Sequence, residues 1–346
     1  MTSAPLDDPP ALPSVTRVDR GSWSLVTTLA RHEYRAAVRS RVLLALLAIL
    51  IVTTTASIYI AAVDYRSQLA DYNAYVNAAR SSGIQQIAPS PLQLLSLLRG
   101  AMEYIEIIGA IIGITLGYLT VSRERSSGTL PLLRSRPVTT GQLAAGSALG
   151  ALALVTTLVA VTAVVGVVGL GAIGNDWIDG VQALKLVLAS VAAVVYMMTF
   201  YCLGVVCTAR ARVAANGLMV ALGIWLVVVL VIPQIGDTLD ADNQVPGGLF
   251  AALGLDKSGE DHVLAHFSTY ETVRTTIEST SVAKHFERFA FAMTDVKEKY
   301  RGFSLGHLLA LKHSEIEWLL FFIVALGVAF FRSFRRQPST AQGEHP

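Results

Sequence analysis

Apolar residues fall in long unbroken runs along this chain, and charged residues cluster between them. Five runs (42–63, 101–121, 143–170, 183–207 and 214–235) reach the roughly 20 apolar residues that a helix needs to cross a bilayer. A sixth, 316–334, is weaker. Its uninterrupted core, 318–331, covers only about 21 Å at 1.5 Å per residue. It spans if Glu315 and Glu317 sit at the interface or if the bilayer thins locally. The pattern predicts an all-α, polytopic membrane protein with six transmembrane helices. Two connections are long, 64–100 and 236–315, and the others are short. Both long segments carry apolar residues at helical spacing, such as Val263, Phe267, Tyr270 and Val273, which predicts a small helical extracytoplasmic subdomain.

Composition agrees with lipid as the solvent. The chain is 53% hydrophobic and 15% charged, against about 25% charged in soluble domains. Its arginines flank the spans instead of lining one soluble face, which argues against a nucleic-acid partner. Charge placement also orients the chain. Arg17, Arg20, Arg31, Arg35, Arg39, Arg41, Arg123, Arg125, Arg134, Arg136, Arg210, Arg212, Arg332, Arg335 and Arg336 all fall on one side of the alternating spans. They outnumber the acids of the same segments, Asp7, Asp8, Asp19, Glu33, Glu124 and Glu344. The opposite segments carry an acidic excess. The positive-inside rule then places both termini in the cytosol, N-in and C-in. Residues 1–21 read as a disordered tail rather than a signal peptide, because they are polar and proline-rich, so the first span is expected to stay as an anchor. Residues 335–346 read as a second cytosolic tail. Cys202 and Cys207 lie five apart in one apolar run and cannot pair on one helix.

Several segments suggest mechanism. Residues 22–41 suit an amphipathic helix at the inner interface, with Arg31, Arg35 and Arg39 toward anionic headgroups. The cytosolic loop 122–142 contains ERSSGTLPLLRSRPV. Gly128 can end one helix, Thr129 can cap the next, and Pro131 fits a first helical turn. Leu130, Leu132 and Leu133 then give a short apolar helix that Pro137 stops. A rigid rod there suits force transfer from a soluble partner, although a plain tight loop could carry the same residues. Gly109, Gly113 and Gly117 form two GxxxG steps, and Gly146 and Gly150 a third, which favours close helix packing within one subunit or between two. Glu103 and Glu106 share a face at the outer start of the second span and are candidates for a substrate path or gate, or for an interfacial anchor.

Other patterns carry less. Gly169, Gly171 and Gly174 match a dinucleotide fingerprint but follow a membrane span, with no strand before them. His262, His266 and His285 stand near acids, yet a solvated helix face explains them better than a metal site. No nucleophile elbow, zinc-protease pair or intramembrane catalytic pair is present, so no catalytic or metal residue is assigned.

Glu124, Gly128-Thr129-Leu130, Leu133, Ser135 and Pro137-Val138 resemble the E-x-x-x-G-T-L-x-x-L-x-S-x-P-V loop of ABC-2-type transporter permeases. The flank HEYRAAVRSR, and a fifth span with Trp225 before Pro233, are similar to the same family. The branch linked with multicopper-enzyme maturation is the closest in look. The chain departs from the pattern at Ser147, where a basic residue is frequent, and in its long 236–315 segment.

The resemblance implies a permease subunit, itself not an enzyme, in a bacterial plasma membrane. It would pair with a second copy or paralogue. Separate cytosolic ATPase subunits would bind ATP and magnesium, because this chain has no G-x-x-x-x-G-K-[ST] loop. The short helix at 130–136 would dock on the ATPase, with Glu124, Gly128, Thr129, Leu130, Leu132, Leu133, Pro137 and Val138 as the coupling residues. Export through paired permeases is the leading expectation. Mechanical transmission to an extracytoplasmic partner is the alternative, with a membrane-embedded enzyme or an immunity protein behind it.

Overall fold

The computed structural model describes residues 22–83, 94–126, 139–174, 177–239, 249–255, 257–266, 268–296, 300 and 302–335. Every regular element among them is a helix. Six helices are long and apolar enough to cross a membrane. They are α2 (Arg41–Ser81), α3 (Leu95–Arg125), α4 (Thr140–Ala172), α5 (Gly180–Arg210), α6 (Ala214–Thr238) and α11 (His313–Phe334). Helix α1 (Ser22–Val38) precedes them. Among the described residues a single helical turn, Leu249–Ala252, and four longer helices stand between α6 and α11: α7 (Lys257–His266), α8 (Ser268–Ser279), α9 (Val282–Met293) and α10 (Leu305–Leu311).

The helix ends follow local chemistry. Thr139 caps α4 and Asp179 caps α5, each in a capping box with a glutamine three residues on (Gln142, Gln182). Ser40 caps α2. Helix α2 continues to Ser81, which at 1.5 Å per residue makes it about 60 Å long, twice the hydrocarbon thickness. Part of the expected 64–100 loop is therefore rigid helix, because 64–81 holds no glycine or proline to stop it.

Helices α3 and α5 form the centre. In them 67% and 56% of the apolar window is buried, against 11% in α6. The two run parallel in close contact. A methyl group added at Gly113 would meet the Met197 carbonyl, one at Gly117 the Tyr201 carbonyl, and one at Gly204 the Ile114 carbonyl. Without a hydrophobic drive between helices in lipid, such close backbone approach supplies the dispersion that holds them. Aromatic rings from α5 extend this core. Tyr196 stacks on Phe286 of α9 at 4.7 Å, and Tyr201 packs on Phe330 of α11.

The remaining glycine step has a different partner. Added methyl groups at Gly146 and Gly150 of α4 would strike Leu29 and Glu33 of α1. Helix α1 therefore runs alongside the start of α4 in the same direction, with Val26 and Ala37 buried.

Candidate functional sites at the two ends of the bundle

At the end that carries α1, three charged residues finish α3. Arg123 donates to Glu33 of α1 at 2.7 Å. Arg125 donates from its two terminal nitrogens to the carbonyls of Ala209 and Ala211, both at 2.9 Å. Those carbonyls belong to the last turn of α5, whose orphan acceptors a guanidinium satisfies well. Glu124 is buried, and one of its carboxylate oxygens has no hydrogen-bond partner among the described residues. Burial lifts the Glu33 carboxyl above the ordinary carboxylate range, against the pull of Arg123 and His32. Helix α3 is thus tied to α1 by one arginine and to α5 by another, at its last described turn.

The segment 127–138 that follows lies outside the described residues, and with it Gly128, Thr129, Leu130, Leu132, Leu133, Pro137 and Val138. Its two flanks are described: Arg125 is clamped on one side and Thr139 caps α4 on the other. Arg31 and Arg35 lie exposed on α1, and Arg39 lies exposed in the turn that follows it.

At the opposite end the spans are less regular. Helix α3 has a π-turn at Ile105–Gly109, α4 ends in one at Leu170–Gly174, and α6 has one at Leu226–Val231. A π-turn releases a carbonyl from the regular ladder. Two such carbonyls are satisfied from outside their helix. The Tyr196 hydroxyl donates to the Glu106 carbonyl at 2.7 Å. The Ser281 hydroxyl donates to the Val228 carbonyl at 2.6 Å. Pro233, which has no N–H, leaves Val228 without an i+5 donor.

Ser281 also caps α9, accepting from the Lys284 amide at 3.3 Å. Helix α9 therefore starts inside the bundle, at the depth of the α6 break. It runs antiparallel to α5, from Phe286 beside Tyr196 to Asp295 beside Lys185. Most of α9 is buried, Lys284 and His285 included, and Glu287 and Arg288 are partly buried. Lys185 of α5 donates to both oxygens of Asp295 at 2.9 Å, and neither residue reaches 10% exposure. Lys284 pairs with Asp237 of α6 at 2.9 Å and with Glu287 at 2.8 Å. Burial lowers the Lys284 pKa, but Glu287 and Asp237 outweigh it and leave the pKa raised.

Glu315, at the start of α11, is buried among basic side chains. It lies 2.5 Å from His285 Nδ1, 3.8 Å from Lys312 and 4.0 Å from Arg288. His285 Nε2 faces the Ser279 carbonyl at 3.0 Å, so both ring nitrogens face acceptors and a neutral ring could serve only one as donor. Arg288 also pairs with Glu278. Burial drives the Lys312 pKa down despite Glu315.

The two acids expected to line a path part company here. Glu103 is exposed and pairs with Arg99 at 2.8 Å. Glu106 is buried in the π-turn of α3, near Glu287 and Lys284 of α9. His262 and His266 stand exposed on α7, away from His285. Among the described residues no three His, Cys, Asp or Glu side chains gather as metal ligands would. Gly169 simply packs on Ile58 of α2.

Sequence reasoning missed α9 as a core element. A signal was present: Val282, Phe286, Phe289 and Met293 recur at helical spacing behind a serine cap. The charges between them, Lys284, Glu287 and Arg288, made the segment look like surface.

Six apolar spans around a glycine-packed central pair, with a charged helix folded back into one end, define a polytopic helical membrane protein. The family model for ABC-2 family transporter proteins matches residues 27–338, nearly the whole chain, so the protein belongs to that family. No curated protein matches it.

Proposed function

We propose that this chain is the membrane-spanning permease subunit of an ABC-2 transporter, driven by separate cytosolic ATPase subunits. The observation that carries this reading is the family match over 27–338 in a chain with no phosphate-binding loop of its own. In this reading the α1 end faces the cytosol, as the arginine bias requires. The segment 127–138 meets the ATPase with Leu130, Leu132 and Leu133, between braced flanks at Arg125 and Thr139. Motion delivered there passes into α3 and, through Arg123 and Arg125, into α1 and α5. Two permeases assemble, and export between them is the favoured direction. Glu106 is the acid best placed to face that path. Within the family, we read the chain as similar to the branch linked with multicopper-enzyme maturation.

A second reading has its own support. The α9 network grips α3, α5, α6 and α11 together, which suits passing motion to an outer protein held by 236–315.

The test is co-purification of the full chain from its native membrane. The intact protein should bring down an ATP-binding-cassette subunit. Replacing Leu130, Leu132 and Leu133 together by Ser should lose that subunit while the thermal unfolding midpoint holds. A complex that survives the triple change would refute the docking role. Labelling of Ser126→Cys by an impermeant reagent from outside intact cells would refute the orientation.

A further inference from the structure

A groove of about 220 Å³ opens where α1 turns into α2, between these helices and α4. Its walls include Val38, Leu44, Leu47, Leu158 and Val161, with the Tyr34 ring at one side. Val38, Leu44 and Val161 are exposed, so the groove opens sideways and is not a sealed core void. The polar groups along it are few. Thr157 spends its hydroxyl on the Ala153 carbonyl of its own helix, and the Tyr34 hydroxyl has no partner among the described residues.

The depth of this groove is set by the sequence. Arg41 opens α2, and the apolar run begins at the next residue. Leu47 and Ile51, which line the groove, lie about 9 and 15 Å beyond Arg41 along the helix. The groove therefore starts at the level of the headgroups and runs into the hydrocarbon. Arg31 and Arg35 are four apart on one face of α1, and Arg39 and Arg41 follow at the turn into α2. All four are exposed, and none has a hydrogen bond or ion pair among the described residues. An apolar slot below with unpaired guanidinium groups above matches one molecule: a lipid with an anionic phosphate head and an acyl tail. Arginine suits such a phosphate because its donors form a planar fork.

We infer that the α1–α2–α4 groove is a binding site for one anionic phospholipid of the surrounding bilayer. One acyl chain lies along Leu44, Leu47, Leu158 and Val161, and the phosphate lies among Arg35, Arg39 and Arg41. The site goes beyond the permease reading and stands without it, since it requires only that α2 cross the bilayer. It also gives α1 a second anchor besides Gly146 and Gly150, one that depends on membrane charge.

The test is native mass spectrometry of the full chain, with whatever subunits accompany it, released from mild detergent. The probes are phosphatidylglycerol and phosphatidylcholine of equal chain length. The expected result is one retained phosphatidylglycerol per chain, in preference to phosphatidylcholine. Arg35→Gln with Arg39→Gln should lower that preference about 25-fold, at roughly 5-fold per basic residue near a charged surface. Val161→Trp fills the slot from its open side and should abolish retention of both lipids with an unchanged unfolding midpoint. Equal retention of the two lipids by the intact protein would overturn the inference, as would undiminished retention by Val161→Trp. If Val161→Trp only splits a dimer into monomers, the groove is a contact between copies and the lipid site falls.

Discussion

The two ends of the α3–α5 pair are held by opposite means. Toward the α1 end the helices are regular and touch through backbone: Gly113, Gly117 and Gly204 face carbonyls, and Arg125 seizes the last carbonyls of α5. Toward the α9 end the helices carry π-turns, and buried side-chain charges make the contacts. Backbone contact of this kind has one good geometry, and a shift of an ångström loses it. Ion pairs with shared partners have several. Glu315 has three basic side chains, His285, Arg288 and Lys312, within 4.0 Å, so it has more than one partner to pair with. The comparison assigns stiffness to one end and adjustability to the other. The proposed transfer of force from 127–138 to the far end would use that division.

The sharpest way to break this contrast is to orphan a buried charge. Lys185→Met leaves Asp295 unpaired at under 10% exposure, and it should cost about 3–5 kcal/mol in unfolding free energy. Lys185→Met with Asp295→Asn, which keeps a residue tolerant of the positive φ at 295, should recover most of it. A double-mutant cycle in detergent reads both, and additivity would show that the pair is not coupled.

Next in size is the stiff end. Gly117→Leu places a side chain against the Tyr201 carbonyl and should cost about 3 kcal/mol or more by forcing α3 off α5. The same change at Gly223, where an added methyl group meets nothing, should be close to neutral. Equal effects at the two sites, read as unfolding midpoints, would remove the glycine contact as the cause.

Ser281→Ala tests the adjustable end more gently. It removes the α9 cap and leaves the Val228 carbonyl unanswered, at about 1–2 kcal/mol. Amide exchange should quicken in 226–239 and 282–286 and stay slow in α3 and α5. Quickening throughout would mean that the two ends unfold as one.

The smallest effect is a pH dependence at Glu33. Its folded pKa lies above the unfolded value, so its contribution to stability is complete below the unfolded pKa. That contribution is lost as pH rises through the folded pKa. Glu33→Gln should flatten that part of the stability curve by less than about 1 kcal/mol. An unchanged slope in acid titration of the unfolding midpoint would exclude Glu33 as its source.

How much of this was legible depended on what decided each feature. The spans were, because desolvating a backbone in lipid admits only long apolar helices, and that requirement is written residue by residue. Even the weak span, 316–334, forms a helix, His313–Arg335. Its difficult Glu315, expected at the interface unless the bilayer thins, is buried instead, with His285, Arg288 and Lys312 beside it. Glu106 follows the same course: read as a boundary acid, it is buried beside a helix from a distant part of the chain. The glycines of 109–117 announced close packing but not a partner, and those of 146–150 turned out to serve α1.

The sequence by itself determined the number of spans and the family resemblance of the loop after α3. Each of these rests on neighbours within a few residues, or on transfer from water to lipid, which acts on every residue separately. Only the tertiary structure decided that α9 folds back into the bundle, that α1 lies on α4, and which charges pair. Those outcomes join residues dozens to more than a hundred positions apart. A buried charge is tolerable only once its partner has arrived, and a linear pattern does not encode that arrival.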